Sequence, residues 1–378
     1  MRLGQGRDDG RATGTGRLAL VLSTASWRAL LTPALIALAS RVYSSVLIIL
    51  ADASSRATIP TPFTWWDAGW YLEVATHGYH PTSFTSATTV GRYDFAFFPL
   101  WPGLMRVAAV LSPDPLVPVL LANLLFVIAA VLLWRLLADR FGTAVASGAV
   151  ALLAFSPPSF AFSMAYSEPL FRALAAAYFL GRSATGRRAL GGPLAAALAM
   201  AARIDGAAIV ASAALGAVRR RGAERRTAVL AVLAGCAVFA AWWLFIALLV
   251  HDPLGFLRAS PSWYRTAGWE QYVAALRHPS IRNDGRLLFA AVMLAGSLLA
   301  LRRDRELGVY ALAALAIGLL PGGVIYSLPR YAVIAFPAYA GLSRALGRRG
   351  TVALVVAFAL AQWLFVSWAF ALPGAQPP

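Results

Sequence analysis

The chain has 378 residues, of which 60% are apolar and only 13% are charged, and its mean hydropathy is +0.68. A soluble chain of this length would divide into domains with polar surfaces between them, whereas apolar runs recur here from Leu30 to Leu372. The composition therefore excludes a soluble protein. It predicts an all-α polytopic membrane protein built as one domain.

The net charge of +17 does not indicate a nucleic-acid partner. A nucleic-acid-binding module would carry a continuous basic face with interleaved aromatic residues, whereas the basic residues here are all Arg and gather in short clusters between apolar runs. This distribution is typical of cytoplasmic loops in membrane proteins. The clusters are Arg135 and Arg140; Arg182, Arg187 and Arg188; Arg219, Arg220, Arg221, Arg225 and Arg226; Arg302, Arg303 and Arg305; and Arg344, Arg348 and Arg349.

The two ends of the chain are expected to lie outside the membrane domain. Residues 1–28 are rich in Gly, Thr and Arg and predict a flexible cytoplasmic tail. The next apolar stretch, 29–51, is long enough to span a bilayer, so an uncleaved first helix is favoured over a signal peptide. The membrane domain then covers 29–372, and 373–378 form a short C-terminal tail.

Apolar runs between the Arg clusters predict about nine full transmembrane helices, since a crossing needs about 20 residues. A further apolar segment, 189–218, begins and ends beside Arg clusters, and it is too short for two complete crossings. It predicts a hairpin of two short helices with its bend at 203–206. The nine crossings are expected near 29–51, 115–137, 143–164, 166–181, 228–250, 286–301, 307–326, 329–346 and 350–371.

Two segments opposite the Arg clusters are too long to be simple connections. They cover about 52–114 and 251–285, and they hold eight of the 16 acidic residues and all four His. Long loops in compact domains are usually functional or disordered, and the many aromatic residues here disfavour disorder. We therefore expect the working face to be extracytoplasmic.

The run TWWDAGWYLEVATHGYH in the first outer segment contains the candidate general base, Asp67. Neighbouring Trp side chains such as Trp66 and Trp70 would desolvate its carboxylate and raise its proton affinity. Glu73 lies six residues further on and would not share a helix face with Asp67, so we do not pair the two. The alternative is an interfacial aromatic belt in which Asp67 caps a short helix.

This run, together with four other motifs, resembles the bacterial members of the PIG-V-like mannosyltransferase family, within the GT-C superfamily of membrane glycosyltransferases. The other motifs are AFFPLWPGL, SPPSFAFSMAYSEPLF, AARIDG and SLPRYAVIAFPAY, and Arg41 lies in the first helix. The resemblance implies a GT-C-like fold. It also implies transfer of mannose from a polyprenyl-phosphate-linked sugar donor to a glycan or glycolipid acceptor on the outer face, with Asp67 as the catalytic residue.

A leaving lipid phosphate calls for a fixed cation. Arg330, in SLPRYAVIAF, is the first candidate to bind the donor phosphate, and Arg203, Arg258 and Arg265 are alternatives. The competing interpretation of Arg330 is a side chain that extends to lipid headgroups. Membrane lipids are expected partners in either case.

Substrate contacts are expected from aromatic residues and one acid. Glu168, in AYSEPLF, could orient the acceptor or cap the helix that begins there. The aromatic candidates for substrate binding are Trp66, Trp70, Tyr79 and Tyr331. In the second loop, Trp263, Tyr264 and Trp269 could stack on sugar or lie in the interface.

No cofactor and no metal are expected. His77 and His80 invite a metal site with Glu73, but Gly78 and Pro81 argue against a regular helix that would bring them together. The sequence also has no two Asp residues two positions apart, so the Asp-x-Asp clamp of many nucleotide-sugar enzymes is missing.

Two other functions fit parts of the sequence. A transporter or flippase of a lipid-linked sugar would share the aromatic and Arg residues, but it should place paired charges along several crossings. A membrane scaffold would not need two substantial loops.

Overall fold

The computed structural model describes residues 24–52, 61–82, 93–182, 189–259, 268–319, 325 and 327–370. These residues form fifteen α-helices and no β-strand. The helices are α1 (Thr24–Asp52), α2 (Asp67–His77), α3 (Leu100–Leu111), α4 (Leu116–Phe141), α5 (Thr143–Ala154), α6 (Glu168–Gly181), α7 (Gly191–Ala202), α8 (Gly206–Arg219), α9 (Gly222–Leu249), α10 (Gly255–Ala259), α11 (Gly268–Arg277), α12 (Ile281–Arg303), α13 (Arg305–Leu319), α14 (Leu328–Ala332) and α15 (Pro337–Phe370). Three 3-10 helices cover Thr61–Thr64, Asp94–Ala96 and Pro157–Ser163.

Among the described residues, five helices are long and apolar enough to cross a membrane: α1, α4, α9, α12 and α15. A sixth crossing results if α5 and the 3-10 helix Pro157–Ser163 count as one span, although they are bent by 78°. That bend replaces the straight crossing predicted at 143–164. Leucine and valine side chains on these helices are exposed, as expected where lipid covers them.

The predicted number of about nine crossings is not confirmed. The expected crossings at 166–181 and 307–326 correspond to α6 and α13, which have 14 and 15 residues. At roughly 1.5 Å per residue they are about 21–23 Å long, less than a hydrocarbon core of about 30 Å. The two crossings expected at 329–346 and 350–371 share one long helix, α15, which is broken at Gly347, where φ is +62°.

The structure has the predicted pair of short helices, α7 and α8, with the bend at 203–205. A Cβ atom on Gly206 would lie 2.5 Å from the Cα of Met200, so only glycine lets α8 begin against the last turn of α7. The start of α7 packs beside the end of α6, where Gly181 and Gly192 meet. The pair therefore returns to the end of the molecule from which it started.

Five charged residues tie the helices together at this Arg-rich end. Arg182, after α6, and Arg220, after α8, both pair with Glu306, at 3.1 and 2.7 Å. Arg140 of α4 and Arg182 both pair with Asp304, at 2.6 and 3.4 Å. Since α6 runs from Glu168 to this cluster, its first residue lies at the opposite end, about 21 Å away.

Candidate active site

Four charged side chains meet at the ends of helices, opposite the Arg-rich end. Asp67 is the first residue of α2, and Glu168 is the first residue of α6. Arg203 directly follows α7, and Arg330 lies within α14. Carboxylates at helix N-termini and a guanidinium at a helix C-terminus are each stabilised by the helix dipole. The fold thus brings together four residues that the sequence separates by up to 263 positions.

Asp67 and Arg330 form the central ion pair. The Nη1 of Arg330 donates to Oδ2 of Asp67 at 2.5 Å, and each side chain is 13% exposed. Burial raises the pKa of Asp67; the Arg330 guanidinium lowers it in part, and the net effect is a raised pKa. The predicted base and the predicted phosphate ligand are therefore in direct contact in this structure.

Glu168 lies beside this pair and is completely buried. Its Oε1 is 3.1 Å from Nη1 of Arg203 and 3.9 Å from Nε of Arg330. Neither carboxylate oxygen has an aligned hydrogen-bond donor among the described residues, so these guanidiniums act on Glu168 through charge. Arg203 also donates from Nε to Oδ2 of Asp205 at 2.7 Å. Glu168 is therefore a buried anion held between two cations.

Hydroxyl groups extend the site on one side. Nη1 of Arg203 donates to Oγ of Ser167 at 3.0 Å, and Ser167 shares a 2.6 Å hydrogen bond with the hydroxyl of Tyr71. Tyr71 lies one helical turn after Asp67, and burial raises the pKa of its hydroxyl, so it stays neutral. These contacts fix the orientation of Arg203 relative to α2.

Aromatic rings surround Arg330. Its guanidinium carbon is 5.3 Å from the ring centre of Tyr166 and 5.5 Å from that of Tyr331. Both distances fit cation–π contacts. Tyr331, predicted to bind substrate, is thus placed beside the predicted phosphate ligand.

Trp66 has an unusual backbone conformation directly before Asp67. Its φ is +65°, a left-handed value that is rare for a bulky residue and is found mostly where the surrounding structure enforces it. The Trp66 ring packs on Phe370 and Phe160, with centroids 4.9 and 6.2 Å apart. Trp70 stacks on Phe97 at 5.8 Å. The Trp66 contact holds the start of α2 against Phe370, the last residue of α15.

Two predicted residues are placed away from this cluster. Arg258 pairs with Asp252 at 2.9 Å, and its side chain is 71% exposed, so it is available to solvent or headgroups but does not join Arg330. The hydroxyl of Tyr79 donates to the carbonyl of Phe97 at 2.6 Å, and its ring packs on Trp242. The alternative cation Arg265, and Trp263 and Tyr264, lie outside the described residues, as does the side chain of Trp269.

The histidines lie closer together than the sequence suggested. The helix α2 continues to His77, so Glu73 and His77 are one turn apart and pair at 3.0 Å. Gly78, with φ +85°, then turns the chain, and His80 comes within 3.9 Å of Glu73 and 3.0 Å of Asp94. The helix ends before Gly78, as expected, but the turn that follows still brings His80 towards Glu73. Within the described ranges, no group of three or more His, Cys, Asp or Glu could hold a metal ion.

Sequence reasoning assigned no role to two buried residues near the site. Arg172, one turn after Glu168, donates to the Glu168 carbonyl and lies 3.9 Å from the ring centre of Phe162. Arg41 of α1 lies 5.5 Å from the centre of the same ring and donates to the carbonyls of Ser159 and Ala154. A charged residue within each apolar run was the available signal.

Comparison with solved structures identifies the fold. The Archaeoglobus fulgidus oligosaccharyltransferase, in complex with Zn and sulfate, is 13% identical, covers 91% of this chain and 53% of its own length, and has a TM-score of 0.53. The same enzyme with an inhibitory peptide and a dolichol-phosphate gives 15% identity, coverage of 91% and 56%, and a TM-score of 0.51. ArnT from Cupriavidus metallidurans, bound to undecaprenyl phosphate, gives 13% identity, coverage of 89% and 76%, and a TM-score of 0.56.

These likenesses show that the chain shares its fold with both proteins. The chain spans about half the length of the oligosaccharyltransferase. Its sequence matches no protein-family model and no curated protein. Membership of the PIG-V-like family stays a prediction.

Proposed function

We propose that this chain is a membrane glycosyltransferase that transfers a sugar, in our prediction mannose, from a polyprenyl-phosphate-linked donor to a glycan or glycolipid acceptor on the extracytoplasmic side. The observation that carries the proposal is the contact between a carboxylate, Asp67, and a cation, Arg330, on a fold shared with an enzyme bound to undecaprenyl phosphate. One group can accept a proton, and the other can hold a leaving phosphate.

The proposed reaction is a direct displacement. The acceptor hydroxyl attacks the anomeric carbon of the donor and gives its proton to Asp67. The bond from that carbon to the phosphate oxygen breaks, and the electron pair leaves with the phosphate, whose growing charge Arg330 stabilises. The raised pKa of Asp67 makes its carboxylate a stronger base than that of an ordinary aspartate, which supports this role.

Glu168 and Arg203 have a positioning role in this proposal. Their pairing at 3.1 Å is completed by Asp205 and Ser167, so Arg203 is fixed from three sides. Glu168 also attracts Arg330, whose Nε lies 3.9 Å from its Oε1. This arrangement keeps the Arg330 guanidinium where a lipid phosphate could reach it. It leaves open an acceptor-orienting role for Glu168.

A transporter is the rival function, and the distribution of charge disfavours it. The ion pairs of the described residues gather in the site, at the Arg-rich end and around Glu73 and Asp252, and do not follow the crossings. A transported sugar lipid would require polar groups along its path.

The test is transfer by purified full-length protein in detergent, with a synthetic polyprenyl-phosphate mannose labelled in the sugar. Labelled mannose should appear on an added glycolipid or glycan, and polyprenyl phosphate should be released in equal amount. A matched donor carrying glucose tests the sugar preference. Movement of intact donor across reconstituted vesicles without any bond cleavage would establish the transporter instead.

A further inference from the structure

The buried charges around Arg330 are balanced before any substrate arrives. Arg330 contacts Asp67 and lies 3.9 Å from Glu168, while Arg203 contacts Glu168 and Asp205. Ion pairs join three carboxylates, Asp67, Glu168 and Asp205, to two guanidiniums, Arg203 and Arg330. A third buried guanidinium, that of Arg172, lies one turn after Glu168 and donates to its main-chain carbonyl, so three positive charges accompany three negative ones. A lipid phosphate that joins them adds at least one uncompensated negative charge.

An unbalanced charge in a buried site is costly, so one carboxylate must lose either its charge or its partner. Glu168 and Asp205 both contact Arg203, and each is almost completely buried. Asp67 differs, because its ion-pair partner is Arg330 itself and because it retains some exposure to solvent. Asp67 is thus the group that an arriving phosphate would displace.

We infer that the Asp67 carboxylate occupies the place of the lipid phosphate on Arg330 in the resting protein, so that binding of the released polyprenyl phosphate and protonation of Asp67 are coupled. This inference rests on the proposed function. It assigns Asp67 a second role, as a competitor that expels the product lipid.

The charges of the proposed reaction agree with this exchange. The donor is a phosphodiester with one negative charge, and the released polyprenyl phosphate carries two when fully ionised. Asp67 changes from one negative charge to none as it takes the acceptor proton. The total negative charge on Asp67 and the phosphate stays at two. One negative charge moves from Asp67 to the phosphate, and both groups are ligands of Arg330 in this exchange. When Asp67 later loses its proton, it can again pair with Arg330 and displace the product.

The groups that face Asp67 set the direction of the coupling. They are Arg330 from α14, Glu168 from α6 and Arg203 from the bend after α7. Of these, Arg330 is the chief group that favours the ionised carboxylate, while Glu168 opposes it. A phosphate that takes Arg330 away therefore raises the affinity of Asp67 for a proton.

The first test measures binding of farnesyl phosphate, a short polyprenyl phosphate, to the purified full chain in detergent at pH 7.5. Asp67→Asn removes the competing charge and should bind about tenfold more tightly than wild type. Arg330→Gln should bind more weakly. Glu73→Gln, which removes a carboxylate paired with His77 outside the cluster, is the matched control and should leave the affinity unchanged.

These results separate the inference from the proposed function. If Asp67→Asn binds as well as wild type or worse, while Arg330→Gln still weakens binding, the exchange is wrong and the phosphate role of Arg330 survives. If wild type does not bind farnesyl phosphate, or if Arg330→Gln binds it equally well, both are overturned.

The second test is decided by the wild-type protein, so it does not depend on whether a variant folds. Above about pH 7.5, farnesyl phosphate is close to fully ionised, so any further pH dependence of its binding comes from the protein. Coupled protonation predicts that its affinity for wild type falls as pH rises from 7.5 to 9, by up to tenfold per pH unit. The Asp67→Asn profile should be flat. A flat wild-type profile would refute the coupling.

Discussion

Replacing Asp67 with Asn separates its chemical role from its structural one. The amide has nearly the same shape and can still accept a hydrogen bond from Arg330, but it cannot take a proton from the acceptor. Losing a positioned general base typically lowers the rate by about a hundredfold to ten-thousandfold. The structural cost should be moderate, because Arg330 keeps a hydrogen bond to the Asn oxygen and Glu168 remains 3.9 Å from it, but the site loses one negative charge. We expect a loss of about 1–3 kcal/mol in stability.

The assay compares turnover, yield and thermal unfolding on one detergent preparation of each protein. Glu73→Gln is the control for loss of a carboxylate from the same helix, and its turnover should stay near that of wild type. If Asp67 only supported the fold, Asp67→Asn would lower yield and unfolding temperature while turnover per folded molecule held. Turnover equal to that of wild type would show that Asp67 is not the base.

The remaining predictions concern the phosphate ligand, the topology and the Arg-rich end. Arg330→Gln should raise the Michaelis constant for the lipid donor and lower turnover, since a charge-assisted contact contributes about 1.5–3 kcal/mol. Arg330→Lys should restore the activity only in part. Steady-state kinetics with varied donor concentration measures both effects. With Cys236 replaced by Ser, a single Cys at Thr82 should react with an impermeant thiol reagent on intact cells and one at Ala223 should not; the reverse pattern would place Asp67 on the cytoplasmic side. Asp304→Ala should destabilise the protein by about 1–2 kcal/mol more than Asp304→Asn in thermal or denaturant unfolding, because Asn can still cap α13.

The pKa of Asp304 also predicts how the stability of the fold changes at acid pH. Burial opposes its charge, but the backbone N–H of Leu307 and the guanidiniums of Arg182 and Arg140 outweigh burial, so the pKa of Asp304 lies below its usual value. A carboxyl whose pKa is lower in the folded state stabilises the fold above its unfolded value of about 4, and that contribution is lost as pH falls through the folded value.

The residues of the site were predictable because charge inside an apolar run is expensive. Asp67, Glu168, Arg203 and Arg330 each stand within or beside such a run, and such groups persist only where they pair or face a cavity. The pairing itself was not predictable, because it depends on which helix ends meet in space. Arg258 has the same side chain as Arg330, yet a carboxylate only six residues away already pairs with it.

The positions of the helices along the chain were predicted better than their lengths. The turn at 203–205 could be recognised because two charges interrupt an apolar run that lies between Arg clusters. The 78° bend after α5 left no comparable signal, since Pro157 and Pro158 could equally begin a new helix on the same axis. The lengths of α6 and α13 could not be predicted from composition, because apolar residues also precede α6 and follow α13 in the sequence.

The helices α7 and α8 are too short to cross the membrane, and their pairing explains how Arg203 is held in place. Each helix is anchored at the Arg-rich end, α7 by its contact with the end of α6 and α8 by the pairing of Arg220 with Glu306. The bend is then the far tip of a braced hairpin, and Gly206 keeps its two helices close. Because α6 spans the same distance with Glu168 at its start, a change in the position of α6 would carry Glu168 and the base of the hairpin together. The 3.1 Å contact between Glu168 and Arg203 therefore joins the tips of two elements that share a base and is reinforced by Asp205 and Ser167, so we expect it to persist while a lipid phosphate replaces Asp67 on Arg330.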